Sequence, residues 1–475
     1  MLHNWFILLP EICMLCFLAL TMLKMFSHKD VTAKSFFSQV QLFLLASLAT
    51  TIIFYNKSAF PEFWQNSSFT TLFKFFVYLL AWAWFYLSSI WFLNKNRPAG
   101  NFFLICFALL LGFDILASSS SLLTLAVVIP YICFFYYKLI LRHWDIDHVK
   151  YVAKRYALCA VLFSLLMVLG VGLIYLQTES FSYEVIKGFF AHKDNIPTNM
   201  TYLGVLLVLS TMFFLMSVAP FHNWFIGFIG CGVLPVCGFI TIIPPLIYLC
   251  TLINLMSECF PSFIKYVSPI VAIFGGISLI MGALSANKED NIRRLFGYLN
   301  VYCTGFMLLG LMNFSNNFVV ASFAYTVIYI ISFSGIYTTF LSMKSKGDYL
   351  SDINALSGFY TTRPFISAAL LIFMFSLIGL APTLGFFGYL SVINNLVESG
   401  YWVNLMLILF SLLFVAGACL HIIRTIYFET PIIKFDRIDK AIYICLFVNT
   451  LLVFISLINP AWLLYDALVI LGSIS

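Results

Sequence analysis

The sequence predicts an all-α polytopic membrane protein of about fourteen transmembrane helices, two of them broken near their centres. Three observations predict it. The chain of 475 residues is 62% hydrophobic and 9% charged, where a soluble globular domain carries about 25% charged residues. Its apolar runs have the length, about 20 residues, that crosses a ~30 Å hydrocarbon core, and short polar loops separate them. Two runs, around Pro220 and Pro382, are interrupted by proline and glycine.

The runs fall at 3–25, 37–56, 70–93, 101–119, 121–141, 153–177, 201–226, 233–257, 265–285, 295–312, 317–342, 362–393, 402–428 and 440–470. The first, within "MLHNWFILLPEICMLCFLAL", reads as a retained helix, because no arginine-rich amphipathic stretch or small-residue cleavage site precedes it. It carries a C-x-x-C, Cys13 and Cys16, with no second pair and no histidine partner, so these read as buried packing cysteines. The longest polar connections, 143–155, 178–199 and 342–358, are too short to fold as catalytic domains, and no glycine-rich phosphate loop is present. The net charge of +6 sits mostly in loops and at helix ends. That placement fits topology and lipid-headgroup anchoring, with no nucleic acid as partner. Tryptophans including Trp5, Trp144 and Trp462 lie near run ends, as interfacial anchors do. The 53 Phe and 25 Tyr suggest AT-rich coding and synthesis inside an organelle. The N-x-S/T sequences at Asn56, Asn66, Asn199 and Asn313 carry little weight in a protein made there.

The broken runs are the functional pointers. "GLAPTLGFFGYL" places Gly379, Pro382, Gly385 and Gly388 inside the run 362–393, which reads as two half-helices. Proline removes a backbone donor and glycine lowers helix propensity. In lipid such a break persists only where protein or a water-lined cavity satisfies the freed groups. "SVAPFHNWF" repeats the pattern at Pro220, with His222 just beyond it. Paired breaks in corresponding positions point to a repeat-built transporter fold with its pathway at the repeat interface.

Ionisable residues inside spans are functional candidates. Asp114, in "LGFDIL", is one, and His222 is another because it adjoins a break. His421 also reads as lying on an interior helix. Lys138 sits near a helix end and reads as snorkelling to the interface. Arg293, Arg294, Arg363 and Arg424 read as anchors, since arginine does not deprotonate in proteins. Asn394 and Asn395 read as packing hydrogen bonds between helices.

The stretch "SVAPFHNWF" followed by "LPVCGFITIIPP" resembles the A-P-F-H-x-W core and later P-V, F and P-K of the antiporter-like membrane-arm subunits of respiratory complex I. Without gaps, Ala219, Pro220, Phe221, His222, Trp224, Pro235, Val236, Phe239 and Pro244 all match. "NIRRLFGYLNVYCTGFMLLG", "LSGFYTTRPFISAALLIFMFSLIGLAPTLGFFGYL", "LLPEI" and "LHIIRTIYF" are similar to further family segments, in the correct order. Among the homologous subunits the chain looks most like the mitochondrially encoded subunit 2 branch, in a divergent protist. The resemblance implies one membrane domain: N-terminal helices over 1–100, inverted five-helix repeats over 101–260 and 265–430, and a C-terminal helix over 431–475.

The resemblance also implies buried ionisable residues, and four are missing. The family lysine before the first break falls at Leu215, and the lysine of the later P-K at Pro245. The lysine ending the second broken motif falls at Tyr389, and the glutamate of the fifth helix at Pro130 or an apolar neighbour. A buried lysine can pass a proton along a water chain, whereas leucine and proline cannot. A tyrosine hydroxyl can at most relay. The expectation is therefore a subunit of a proton-translocating NADH:ubiquinone oxidoreductase that is mainly structural, with His222, Asp114 and Tyr389 as its residual polar elements. The resemblance implies no cofactor on this chain, with FMN, iron–sulfur clusters and ubiquinone on other subunits. It implies bound phospholipids including cardiolipin, other membrane-arm subunits and a larger respiratory supercomplex as partners, and the mitochondrial inner membrane as location. A multi-subunit cation/proton antiporter, a stand-alone secondary transporter and a membrane-bound hydrogenase arm are the competing readings.

Overall fold

The computed structural model describes residues 9–26, 33–53, 64–95, 99–141, 147–192, 195–345, 348–350, 352–431 and 435–455. Trp5, Asn56, Trp144, Trp462 and the end of the 440–470 run lie outside them. The described chain is helical throughout, apart from a two-residue hairpin in which Lys344–Ser345 pairs antiparallel with Asp348–Tyr349.

The helices are α1 Leu9–Phe26, α2 Ala33–Ile53, α3 Ser68–Lys95, α4 Gly100–Ala117, α5 Leu122–Leu141, α6 Asp147–Thr178, α7 Tyr183–Ala191 and α8 Asn199–Leu215. They continue with α9 Asn223–Cys231, α10 Leu234–Ile242, α11 Pro244–Asn254, α12 Ile264–Ala286, α13 Ile292–Leu309 and α14 Asn316–Ser342. After a single turn at Phe359–Thr362 come α15 Pro364–Ile378, α16 Leu384–Glu398, α17 Trp402–Phe428 and α18 Lys440–Ile455.

Among the described residues nine helical segments are long and apolar enough to cross a membrane, with four shorter apolar helices beside them. Three apolar runs divide where proline or glycine interrupts the hydrogen-bond ladder. The run 201–226 becomes α8 and α9, and 362–393 becomes α15 and α16. The run 233–257 becomes α10 and α11, because Pro244 lacks the N–H that would bond back across the junction and so opens a new helix.

The chain forms two compact units. The first comprises the described residues up to Met216 together with Ile243–Lys265; the second comprises Ser217–Ile242 and the described residues from Tyr266 onward. In the first unit α6 carries a stripe of exposed leucines, Leu158, Leu162, Leu165, Leu169 and Leu176, on the face that lipid would cover. Its opposite side meets α8 so closely that a Cβ on Gly170 would lie 2.8 Å from the Gly204 carbonyl oxygen. Such small-residue contacts let membrane helices gain dispersion where no hydrophobic force drives association. Phe17, Phe85, Phe103 and Phe107 fill the space between α1, α3 and α4, with Phe17 stacked on Phe107 at 3.9 Å between centroids. In the second unit Phe296, Phe333, Tyr337 and Phe340 interlock α13 with α14.

Candidate functional site

The second break belongs wholly to the second unit. Helix α15 ends at Gly379, whose φ of +79° lies in the left-handed region that glycine adopts without a Cβ penalty. Its N–H bonds back to the carbonyls of Phe375 and Ser376, and the N–H of Leu380 to that of Phe375. Ala381 and Pro382 are exposed and joined by a cis peptide bond. Helix α16 then starts so close to α15 that a Cβ on Gly385 would sit 1.7 Å from the Ser376 carbonyl oxygen. A Cβ on Gly388 would meet the Ile328 side chain at 2.9 Å. Tyr389 turns back across the break: its hydroxyl donates to the Leu377 carbonyl at 2.8 Å. Its ring packs edge-on against Phe306 and Tyr325.

The first break has the same local plan. Ser217, three residues before Pro220, has φ +59°, and Gly379 stands three residues before Pro382. Pro220 is exposed and follows a cis bond from Ala219. The N–H of Ala219 donates to Ser278 Oγ on α12 at 2.9 Å, so a group freed by the break has a protein partner. His222 is buried beside α9, its ring 6.1 Å from that of Tyr298, and its Nδ1 has no hydrogen-bond partner among the described residues.

The positions where the resemblance expects ionisable side chains are apolar or committed. Leu215 is buried at the end of α8. Pro245 is the second residue of α11, and Pro130 lies inside α5. Other polar residues have structural settings. Arg363 bonds Tyr443 and the Asp436 carbonyl, and Arg293 bonds the Gly232 carbonyl at 3.0 Å. The Lys138 ammonium lies 5.2 Å from the centre of the Phe134 ring. Asn395 donates to the Asn317 carbonyl, tying α16 to α14. Two expectations are corrected. His421 is exposed rather than interior, since α17 is apolar all round and its sequence does not mark which face is inward. Cys16 is exposed as well, on the outer face of α1.

A second polar constellation, of which only Asp114 stands out in the sequence, lies in the first unit. Lys74 on α3 is 1% exposed, yet its ammonium donates to Glu11 Oε1 on α1 at 2.7 Å and to Asn66 Oδ1 at 3.0 Å. It also lies 4.9 Å from the centre of the Trp64 ring. Asp114 on α4 is 1% exposed and accepts a hydrogen bond from the Tyr78 hydroxyl, one turn along α3 from Lys74. Ser118 Oγ donates to Asn66 Oδ1 at 3.0 Å. Two oxygens have no partner among the described residues, Glu11 Oε2 and Asp114 Oδ1. The overlooked signal was Lys74 itself, a lysine in the apolar stretch "LFKFFVY". Asp114 belongs to the first unit, and His222 and Tyr389 belong to the second. Among the described residues no group of three His, Cys, Asp or Glu side chains could hold a metal ion.

Residues 119–415 match the family described as NADH:quinone oxidoreductase/Mrp antiporter, TM. NADH-quinone oxidoreductase subunit N of Paramagnetospirillum magneticum is 26% identical over 97% of this chain and 96% of the relative. The subunit of the same name from Coxiella burnetii is 24% identical over 97% and 98%. Among solved structures, the fold resembles a chain of respiratory complex I from Thermus thermophilus (TM-score 0.79, 20% identity, covering 96% of this chain and 98% of that one). It also resembles a chain of the Mrp complex from a Dietzia species (TM-score 0.84, 15% identity, 100% and 98%).

Proposed function

The chain belongs to the NADH:quinone oxidoreductase/Mrp antiporter transmembrane family, and from that premise we propose that it is an antiporter-like membrane-arm subunit of a proton-translocating NADH:quinone oxidoreductase. The observation that carries the proposal is the end-to-end likeness, over 97% of this chain, to curated subunits bearing that name. Fold alone does not separate this function from cation/proton exchange, because complex I and Mrp chains both share it. The two breaks, with a left-handed residue three places before an exposed proline in each, support their assignment to corresponding helices of two inverted repeats, 101–260 and 265–430.

Within that role the subunit's own proton path is degenerate. Leu215, Pro245 and Pro130 offer no titratable group where the family motif expects one. The Tyr389 hydroxyl is occupied in closing the second break, so it serves the scaffold. The broken helices persist as the hinge of a packed structural element, and Pro220, Pro382, Gly379, Gly385 and Gly388 shape it. The redox chemistry, with FMN, iron–sulfur clusters and ubiquinone, resides on partner subunits of the same complex.

The partners extend to neighbouring membrane-arm subunits, to lipids including cardiolipin and to a larger respiratory assembly. Residence in the mitochondrial inner membrane is supported by the phenylalanine- and tyrosine-rich composition. Purification through an affinity tag on this chain tests the proposal. An assembly that oxidises NADH and reduces quinone is the expected result. Recovery with cation-exchange subunits, or as a lone active transporter, overturns it.

A further inference from the structure

The Glu11–Lys74–Asp114 constellation lies within the first unit, on α1, α3 and α4, none of which is a broken helix. Glu11 is the third residue of α1, Lys74 the seventh of α3 and Asp114 the fourth from the end of α4. At ~1.5 Å per residue these places are all within about 10 Å of one end of their helices. Polar groups continue from the cluster toward that end: Asn66, then Ser118, then Ser119, whose hydroxyl lies 3.5 Å from that of Tyr183. In the other direction Val77 and Ala81 on α3 and Leu110 and Leu111 on α4 are buried and apolar. Beyond them the phenylalanines of α1, α3 and α4 close the space. Among the described residues the polar route is closed on this side.

Charge bookkeeping then constrains the cluster. Two carboxylates against one ammonium leave one uncompensated negative charge. A net charge away from water at this depth is costly unless it is neutralised. Glu11 is matched by Lys74 in contact. Asp114 has only the neutral Tyr78 hydroxyl, and its Oδ1 faces no partner among the described residues. Among the described residues the other titratable groups around the cluster are Cys13 on α1 and Cys250 on α11, with Tyr183 beyond Ser119 and Tyr131 and Tyr136 further along on α5. Thiols and phenols are uncharged at neutral pH, so none of these supplies the missing positive charge. A sodium ion would need several oxygens and would share the space with the Lys74 ammonium.

We propose that Glu11, Lys74, Tyr78 and Asp114 form a one-sided proton-binding site that holds a single proton, bonded at Asp114 Oδ1 and exchanging with water only from the end of the helices where Asn66 and Ser118 lie. A hydronium ion at the water end hands the proton over, one O–H bond breaking there as one forms at the carboxyl, and the proton returns to water by the reverse transfer. The site lies outside the broken-helix motifs and offers no through-passage.

Infrared difference spectroscopy on membranes containing the intact protein tests this through the carbonyl stretch of a protonated carboxylic acid at neutral pH. Charge balance sets the outcome for each variant. Asp114→Asn removes the band. Glu11→Gln also removes it, because Lys74 then balances Asp114 and no proton is needed. Lys74→Met leaves two carboxyls with no cation and roughly doubles the band. Loss of the band in Asp114→Asn with retention in Glu11→Gln would mean that Asp114 is protonated for a local reason, and would overturn the shared-charge account. A wild-type protein without the band, or one whose band appears only when sodium is withdrawn, would overturn the proton site altogether. The band does not depend on which complex contains the chain, so its failure is distinguishable from failure of the assembly test above.

Discussion

The Tyr389 hydroxyl donates to the carbonyl of Leu377 at 2.8 Å, bridging twelve residues across the second helix break. That carbonyl belongs to the last turn of α15, where the helix supplies no partner of its own. A side chain standing where the family motif expects lysine thus satisfies the backbone of the break. Tyr389→Phe should leave a buried acceptor unpaired and cost about 1–3 kcal/mol. A lower thermal midpoint of the assembled complex, with unchanged protons pumped per NADH, is the expected result. Tyr389→Lys alone should add no pumping, because Leu215, Pro245 and Pro130 remain without a titratable group.

The glycines of the second break differ in what they exclude. Gly385→Ala drives a methyl into the Ser376 carbonyl, a backbone atom that cannot move without displacing α15. Gly388→Ala meets the Ile328 side-chain tip at 2.9 Å, which can turn aside, and the edge of the Tyr325 ring at 3.3 Å. Immunodetection of the membrane fraction should find the first variant largely absent and the second near wild-type abundance.

Ser217 pays for its φ of +59° where Gly379 does not. Ser217→Gly should therefore stabilise the first break by about 1 kcal/mol, the usual cost of a left-handed non-glycine residue. Gly379→Ala should destabilise the second, since the added Cβ would also lie 2.6 Å from the Tyr389 ring. Thermal denaturation of the two purified variants should shift in opposite directions.

The buried Lys74–Glu11 pair should show the asymmetry of such pairs. Lys74→Met alone removes the contact partner of a glutamate that is 5% exposed. Breaking a buried pair from one side costs about 3–5 kcal/mol, while replacing both partners by apolar residues is often close to neutral. Protein levels should fall in the single variant and recover in the Glu11→Leu, Lys74→Met double variant.

Much of this was legible in the chain. Most predicted runs became helices within a few residues, because about 20 apolar residues in a row have few alternatives in lipid. The breaks were legible because proline and glycine act locally. What stayed hidden depended on pairings across the fold. Glu11 and Lys74 are 63 residues apart, with no periodicity linking them. Leu377 gives no hint that Tyr389 will reach it. His421 was misplaced because a uniformly apolar helix does not show which side faces inward.

The most direct measurement is the number of protons translocated per NADH oxidised, in vesicles containing the complex purified through this chain. NADH-driven pumping with the same ratio for wild type and Tyr389→Phe is the expected result. Absence of NADH-driven pumping from that preparation, or a clear fall in the ratio for Tyr389→Phe, would contradict it.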